Sequence, residues 1–203
     1  MQKITSITAQ EKRKDRANLF VDGEFFAGVS LETVLKLRLK AGDEVDAERL
    51  SEILTETERT EALQKAGDYA LKNLKTKRQV KDYLLKKGYS EETVWYCVDK
   101  LKEYGYIDDK EYSKRFIEST SKTQGKRLIE YKLMMKGVKK EDIASAYENA
   151  ETDDNANARA LCEKYLRNKE KTKENVLKAY KYLIGKGFSY EQADYAVAPF
   201  KED

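Results

Sequence analysis

Leu84-Leu85-Lys86-Lys87-Gly88-Tyr89, Leu133-Met134-Met135-Lys136-Gly137-Val138 and Leu183-Ile184-Gly185-Lys186-Gly187-Phe188 are three versions of one pattern: an apolar run, a Lys-Gly pair, then an apolar residue. Glycine just past a helix takes the left-handed C′ position, the lysine faces the negative helix end, and the apolar residue folds back on the last turn. The glycines stand 49 and 50 residues apart. A fixed spacing of this size marks tandem helical units, and an array of such units presents a long surface instead of a pocket.

The flanks repeat with the turns. In the first unit Thr76, with Gln79 placed for a capping box, opens a helix carrying Val80, Tyr83, Leu84 and Leu85. Ser90 then opens one carrying Val94, Trp95, Cys97, Val98 and Leu101. The second unit aligns through Gly125 as cap, Ile129, Leu133, Ile143, Ala146 and Tyr147, and the third through Asn175 as cap, Ala179, Leu183, Ala193, Ala196 and Val197. Ser189 and Gln192 make a further capping box, whereas Lys139 stands where Ser90 and Ser189 supply caps. An earlier helix opens each unit, over 69–75, 109–121 and 156–169, giving three helices per unit. The divisions expected are a β-meander with helix over 1–45, an acidic helical linker over 46–63, and repeats over 64–107, 108–153 and 154–203.

The first thirty residues differ. Asp22-Gly23 between Leu19-Phe20-Val21 and Phe25-Phe26-Ala27 is a strong hairpin signal, because a type I′ turn needs positive φ at both central residues. Ile4, Ile7 and Ala9 supply a further strand, so a three-stranded antiparallel meander is expected over 2–29. Such a sheet needs a cover. A helix capped by Ser30 and carrying Leu31, Val34, Leu35, Leu37 and Leu39 is expected to provide it. From Asp46 to Leu74 the pattern is helical, as one helix or two.

Composition agrees with a mainly α chain. Of 203 residues one is proline, 40% are hydrophobic and 38% are charged. The net charge of +3 conceals −6 over residues 43–63 and +6 over 64–150, which suits an anionic or mixed-charge partner. Cys97 and Cys162 sit in apolar-periodic runs, as buried thiols do. No stretch has the length and apolarity of a membrane span or the pattern of a signal peptide, so a cytoplasmic monomer without membrane contact is expected.

Conventional catalytic equipment is missing. There is no histidine, the cysteines lack zinc-site spacing, and no phosphate-binding glycine loop or nucleophile elbow occurs. No enzyme activity, metal or cofactor is therefore expected. Asp108 and Asp109 could be an acid/base or metal pair, but capping at the Gly105–Asp109 junction, with Glu111 as partner, explains them better. Trp95 and the helically spaced tyrosines read as core or inter-unit packing before base-stacking platforms.

The basic residues carry the functional expectation. Lys72, Lys75, Lys77, Arg78 and Lys81 cluster at one inter-helix bend, Arg115, Lys122, Lys126 and Arg127 at the next, and Arg167, Lys169, Lys171 and Lys173 at the third. Stacked in register, these bends would form a stripe giving salt-sensitive, sequence-independent contact with phosphates. Three unrelated solvated turns are the alternative.

The run Ala70-Leu71-Lys72-Asn73-Leu74-Lys75-Thr76-Lys77-Arg78, with Leu84 to Tyr89, Leu101 and Gly105-Tyr106-Ile107-Asp108-Asp109, resembles the RecX family, bacterial regulators of the RecA recombinase. Gly125-Lys126-Arg127-Leu128-Ile129 and Lys136-Gly137-Val138 resemble its second repeat, and Val21-Asp22-Gly23-Glu24-Phe25 its longer, Gram-positive members. The resemblance implies three tandem three-helix repeats in an extended curved array. It also implies a non-enzymatic protein lying along the RecA–DNA filament and restraining strand exchange, ATPase and coprotease activity. Direct binding to single- or double-stranded DNA, or to a protein partner as a plain helical adaptor, are the competing expectations. Gly185-Lys186-Gly187-Phe188 departs from the usual basic-Gly-x-[Ile/Val] texture, so looser capping is expected in the third unit.

Overall fold

The computed structural model describes residues 1–201. They form two compact units, residues 1–72 with 81–104, and residues 73–80 with 105–201.

The first unit begins with the expected meander: β1 (Gln2–Ala9), β2 (Arg16–Val21) and β3 (Glu24–Ser30), all antiparallel. Asp22 and Gly23 turn the second hairpin at φ of 50° and 86°, the two positive values a type I′ turn requires. A two-residue strand, β4 (Glu44–Val45), extends the sheet beside β1 in the order β3-β2-β1-β4. Two residues are too few to show alternation, which is why the sequence did not reveal it.

The cover of that sheet needs correcting. Helix α1 (Leu31–Lys36) is capped by Ser30 as expected but lasts six residues, and Leu35 is 77% exposed. Arg38 at φ 54° breaks the helix and folds Leu37 and Leu39 back with Val34. The remaining cover is Leu50 and Leu54, from the start of α2 (Ala47–Lys72). Ser30 and Thr33 donate hydroxyl hydrogen bonds to the buried Glu61 carboxylate at 3.0 and 2.9 Å, tying α1 to α2 and solvating a carboxylate withdrawn from water. The acidic segment 46–63 is thus the front of one 26-residue helix whose inner face is Leu50, Leu54, Ala62, Ala66 and Ala70. Against it packs α4 (Glu91–Glu103), burying Val94, Cys97, Val98 and Leu101.

Between them in the sequence comes α3 (Lys77–Lys86), whose opening residues belong to the second unit. That unit continues with α5 (Asp109–Thr120), α6 (Lys126–Met135) and α7 (Lys140–Asn149). The last triplet is α8 (Asp154–Leu166), α9 (Lys173–Gly185) and α10 (Tyr190–Val197), closed by a 3₁₀ turn over Ala198–Phe200. In every triplet the first helix packs on the third: α2 on α4, α5 on α7, α8 on α10. Ile117, Ile129, Leu133, Val138, Ile143 and Ala146 make one repeat core, and a second is built around Leu161, Cys162, Ala179, Leu183 and Phe188.

The three Lys-Gly turns are Schellman motifs. Gly88, Gly137 and Gly187 have φ of 79°, 84° and 90°. Their N–H groups donate to the carbonyls of Leu85, Met134 and Ile184, and those of Tyr89, Val138 and Phe188 to Leu84, Leu133 and Leu183. The third turn is as well bonded as the others, so the looser capping expected there is corrected. Thr76 and Gln79 exchange both bonds of a capping box, as do Ser189 and Gln192, and Lys139 caps with no side-chain bond. Asn175 is not a cap. Thr172 takes that place, accepting from the Asn175 N–H at 3.3 Å, while the Asn175 amide donates to the Glu170 carbonyl. Threonine three residues earlier gives α9 an extra turn that strict repeat alignment could not anticipate.

Candidate functional site

Each Lys-Gly turn is also a socket, a feature the sequence did not disclose. Gly137 has no side chain where the aliphatic stem of Arg78 passes, and a Cβ there would overlap it. At Gly187 the overlap would be with the Leu128 side chain and backbone. Two backbone bonds hold that second seam: Gly125 N–H to Lys186 carbonyl at 2.9 Å and Arg127 N–H to Gly187 carbonyl at 3.2 Å. At the first, the Thr76 hydroxyl donates to the Lys136 carbonyl at 2.7 Å, and the Lys77 N–H to the Asp109 carboxylate at 2.9 Å. The start of one repeat's middle helix therefore docks on the Lys-Gly turn ending the next repeat's middle helix. In the first unit the loop between β1 and β2 plays the same part: Arg13 lies over Gly88 and donates to the Lys87 carbonyl.

This rule brings one pair from each of two basic clusters to a seam. Lys77 and Arg78 lie at one seam, with Lys136 across it; Lys126 and Arg127 lie at the other, with Lys186 across it. The lysines across the seam were read only as helix-end charges. Arg127 is exposed and has no ion pair among the described residues; Lys126 has Glu130 at 4.0 Å and the Tyr147 ring at 4.8 Å. Lys122 is exposed in the turn before this seam. Arg115 is committed to Glu111, 2.6 Å away on its own helix. Lys75 is half-buried beside Thr76.

The third cluster has different surroundings. Arg167 follows α8, Lys169 sits 3.3 Å over the Tyr165 ring, and Lys171 lies 5.2 Å from Phe200. Lys173 edges a hollow of 400 Å³ with Val176, Leu177, Tyr180 and Phe200. Among the described residues no Lys-Gly turn follows that of this cluster's own repeat. In the first unit, Lys72 ends α2 exposed, and the Lys81 ammonium sits 4.4 Å over the Trp95 ring. Trp95 is 47% exposed, so of the two packing roles expected for it, core is corrected.

Asp108 and Asp109 do capping work. The Asp108 carboxylate accepts from the Lys110 and Glu111 N–H groups, and Asp109 is buried behind Lys77, where desolvation raises its pKa above the ordinary carboxylate value. Gly105, at φ 73°, turns the chain with open space around it. No group of three or more potential metal ligands occurs among the described residues, and no helix there is long and apolar enough to cross a membrane. Both thiols are buried, with Cys97 pushed up to about 11 by desolvation.

Three helix triplets, each with a Lys-Gly turn after its middle helix, and a small antiparallel sheet preceding them in the sequence define a tandem three-helix-repeat protein. The chain belongs to the RecX family: family models match the regulatory protein RecX N-terminal domain over residues 2–46, its second three-helix domain over 108–146 and its third over 151–197. A regulatory protein RecX of Clostridium botulinum is 36% identical, covering 94% of this chain and 92% of the relative. One of Bacillus licheniformis is 30% identical over 93% of this chain and 73% of its own. A crystal structure of regulatory protein RecX superposes with a TM-score of 0.66 at 26% identity, covering 97% of this chain and 98% of the other. That of RecX from Lactobacillus salivarius, at 23% identity, shares the fold with a TM-score of 0.65 over 71% of this chain and 97% of its own.

Proposed function

We propose that this protein binds the RecA recombinase on DNA and restrains its recombinase, ATPase and coprotease activities without chemistry of its own. Family membership supports the partner, since the relatives are named regulatory proteins. The observation that carries the mode of binding is the recurrence of a cationic pair, Lys77-Arg78 and Lys126-Arg127, at the docking seam of successive repeats. The seam bonds hold the backbone at Lys77 and at Arg127, so binding phosphates there costs little backbone ordering. A regulator of this kind shifts activity through its differential affinity for filament states, favouring the one in which successive contacts are made together.

The test is DNA-dependent ATP hydrolysis by a pre-formed RecA filament, titrated with the protein. Hydrolysis should fall with added protein. A variant carrying Lys77→Glu, Arg78→Glu, Lys126→Glu and Arg127→Glu should lose the effect while keeping its helical circular dichroism. Because the Arg78 stem also fills the Gly137 socket, Lys126→Glu with Arg127→Glu alone is the cleaner variant. Unchanged hydrolysis with wild-type protein refutes the partner; full inhibition by the variants refutes the cationic seams. Binding to bare DNA as tight as to the filament would favour a general nucleic-acid-binding protein.

A further inference from the structure

The middle helix of the second repeat, α6, is apolar on two opposite faces. Ile129 and Leu133 face the core with no exposure. On the other side Tyr131, Met134 and Met135 are 57%, 38% and 64% exposed, at the i, i+3 and i+4 spacing that makes one helix stripe. The sister helices provide an internal control. Forty-nine residues earlier the corresponding positions of α3 are Asp82, Leu85 and Lys86, and fifty later those of α9 are Lys181, Ile184 and Gly185. Repeat geometry therefore does not require an apolar outer face; the second repeat alone carries one across all three positions. Single exposed apolar residues are ordinary, but three adjoining ones on one face make a patch.

The frame around the stripe is cationic. Residues 122–140 hold seven lysines and arginines against one carboxylate, Glu130, which lies 4.0 Å from Lys126. Arg127 is one turn before Tyr131 on the same face, and Lys139 and Lys140 are exposed just beyond the Gly137 turn. An apolar centre inside a basic rim is complementary to an acidic, amphipathic protein surface. Single-stranded nucleic acid fits less well: one tyrosine offers a flat stacking face, whereas methionines offer flexible thioethers that mould to protein side chains.

We infer that the outer face of α6 is a protein-docking surface that seats an acidic amphipathic helix of the recombinase, separate in chemistry from the seams that take phosphates. This rests on the reading that RecA is the partner. Tyr131 and the two methionines are the anchors, and the surrounding lysines orient the acidic rim of the incoming helix.

The experiment measures binding of wild type and of a Tyr131→Ser, Met134→Gln, Met135→Gln variant to DNA-free recombinase and, separately, to bare single-stranded DNA. These side chains are exposed, so the fold should survive, and circular dichroism with an unchanged melting curve verifies it. Expected is a loss of about thirtyfold in affinity for the recombinase, the effect of removing an anchor worth about 2 kcal/mol, with DNA affinity unchanged. Equal affinity of variant and wild type for the recombinase overturns the inference and leaves the functional reading standing. Loss of DNA affinity in the variant overturns it in favour of a nucleic-acid face. Wild-type self-association abolished by the variant overturns it in favour of a second copy. Absence of wild-type binding to both recombinase and filament removes the functional reading, and this inference with it.

Discussion

Alanine at Gly105, Gly88, Gly137 and Gly187 separates the two jobs those glycines perform. All four have φ between 73° and 90°, where an L side chain costs about 1–2 kcal/mol. Gly105 has open space around it, so Gly105→Ala should lose only that strain. At Gly88 the obstacle is the mobile end of Arg13, which can swing away, and a small further loss is expected. At Gly137 it is the Arg78 stem close to its backbone, and at Gly187 it is the Leu128 backbone itself. Overpacking of that kind costs about 1–3 kcal/mol, so Gly187→Ala should lose about 2–5 kcal/mol in all. The assay is urea unfolding followed by circular dichroism, with amide hydrogen exchange at Gly125 and Arg127, the donors across the second seam. Exchange there should accelerate in Gly187→Ala and stay unchanged in Gly105→Ala. Equal destabilisation by all four substitutions, with both amides still protected, would mean that the turns are helix stops and nothing more.

Other outcomes follow from single sites. Burial raises the Asp109 pKa, so its contribution to stability is full below the ordinary carboxylate value of about 4 and is lost as pH rises through the raised one. The stability of wild type relative to Asp109→Asn should therefore decline between acid and neutral pH; a difference that grows with pH would refute this. Cys97 and Cys162 should resist alkylation at pH 8 in the native protein and react in denaturant, since both are buried and their pKa values are raised by desolvation. Native labelling as fast as in denaturant would contradict that. Trp95, the only tryptophan, should be reached by acrylamide and become more quenchable in Lys81→Ala, which removes the ammonium from its ring face.

What could be read from the sequence is what local chemistry dictates. A Schellman turn announces itself within six residues, and an Asp-Gly hairpin within two, so the repeat phase and the meander were legible. The sockets were not, because Arg78 meets Gly137 across 59 residues and nothing near either residue reports the other. Strict repetition misplaced the third cap: Thr172 competes for it three residues before Asn175 and wins. Trp95 looked like core because helical spacing marks a face without saying whether that face is covered. For the basic clusters, the sequence supplied the residues and their order. Only the fold distinguishes Lys126 and Arg127, set at a seam, from Arg115, which is spent on Glu111, and from the third cluster, beyond whose own repeat no Lys-Gly turn follows among the described residues.

The claim that the seam cations grip phosphates is tested most directly by the salt dependence of binding to RecA-coated single-stranded DNA. Each phosphate neutralised contributes about 0.7 to the slope of log affinity against log salt on single strands. Lys126→Glu with Arg127→Glu should flatten the wild-type slope by about 1.4 or more. A slope identical in wild type and variant would show that these residues do not touch the polymer, and the account of the seams as its binding surface would be wrong.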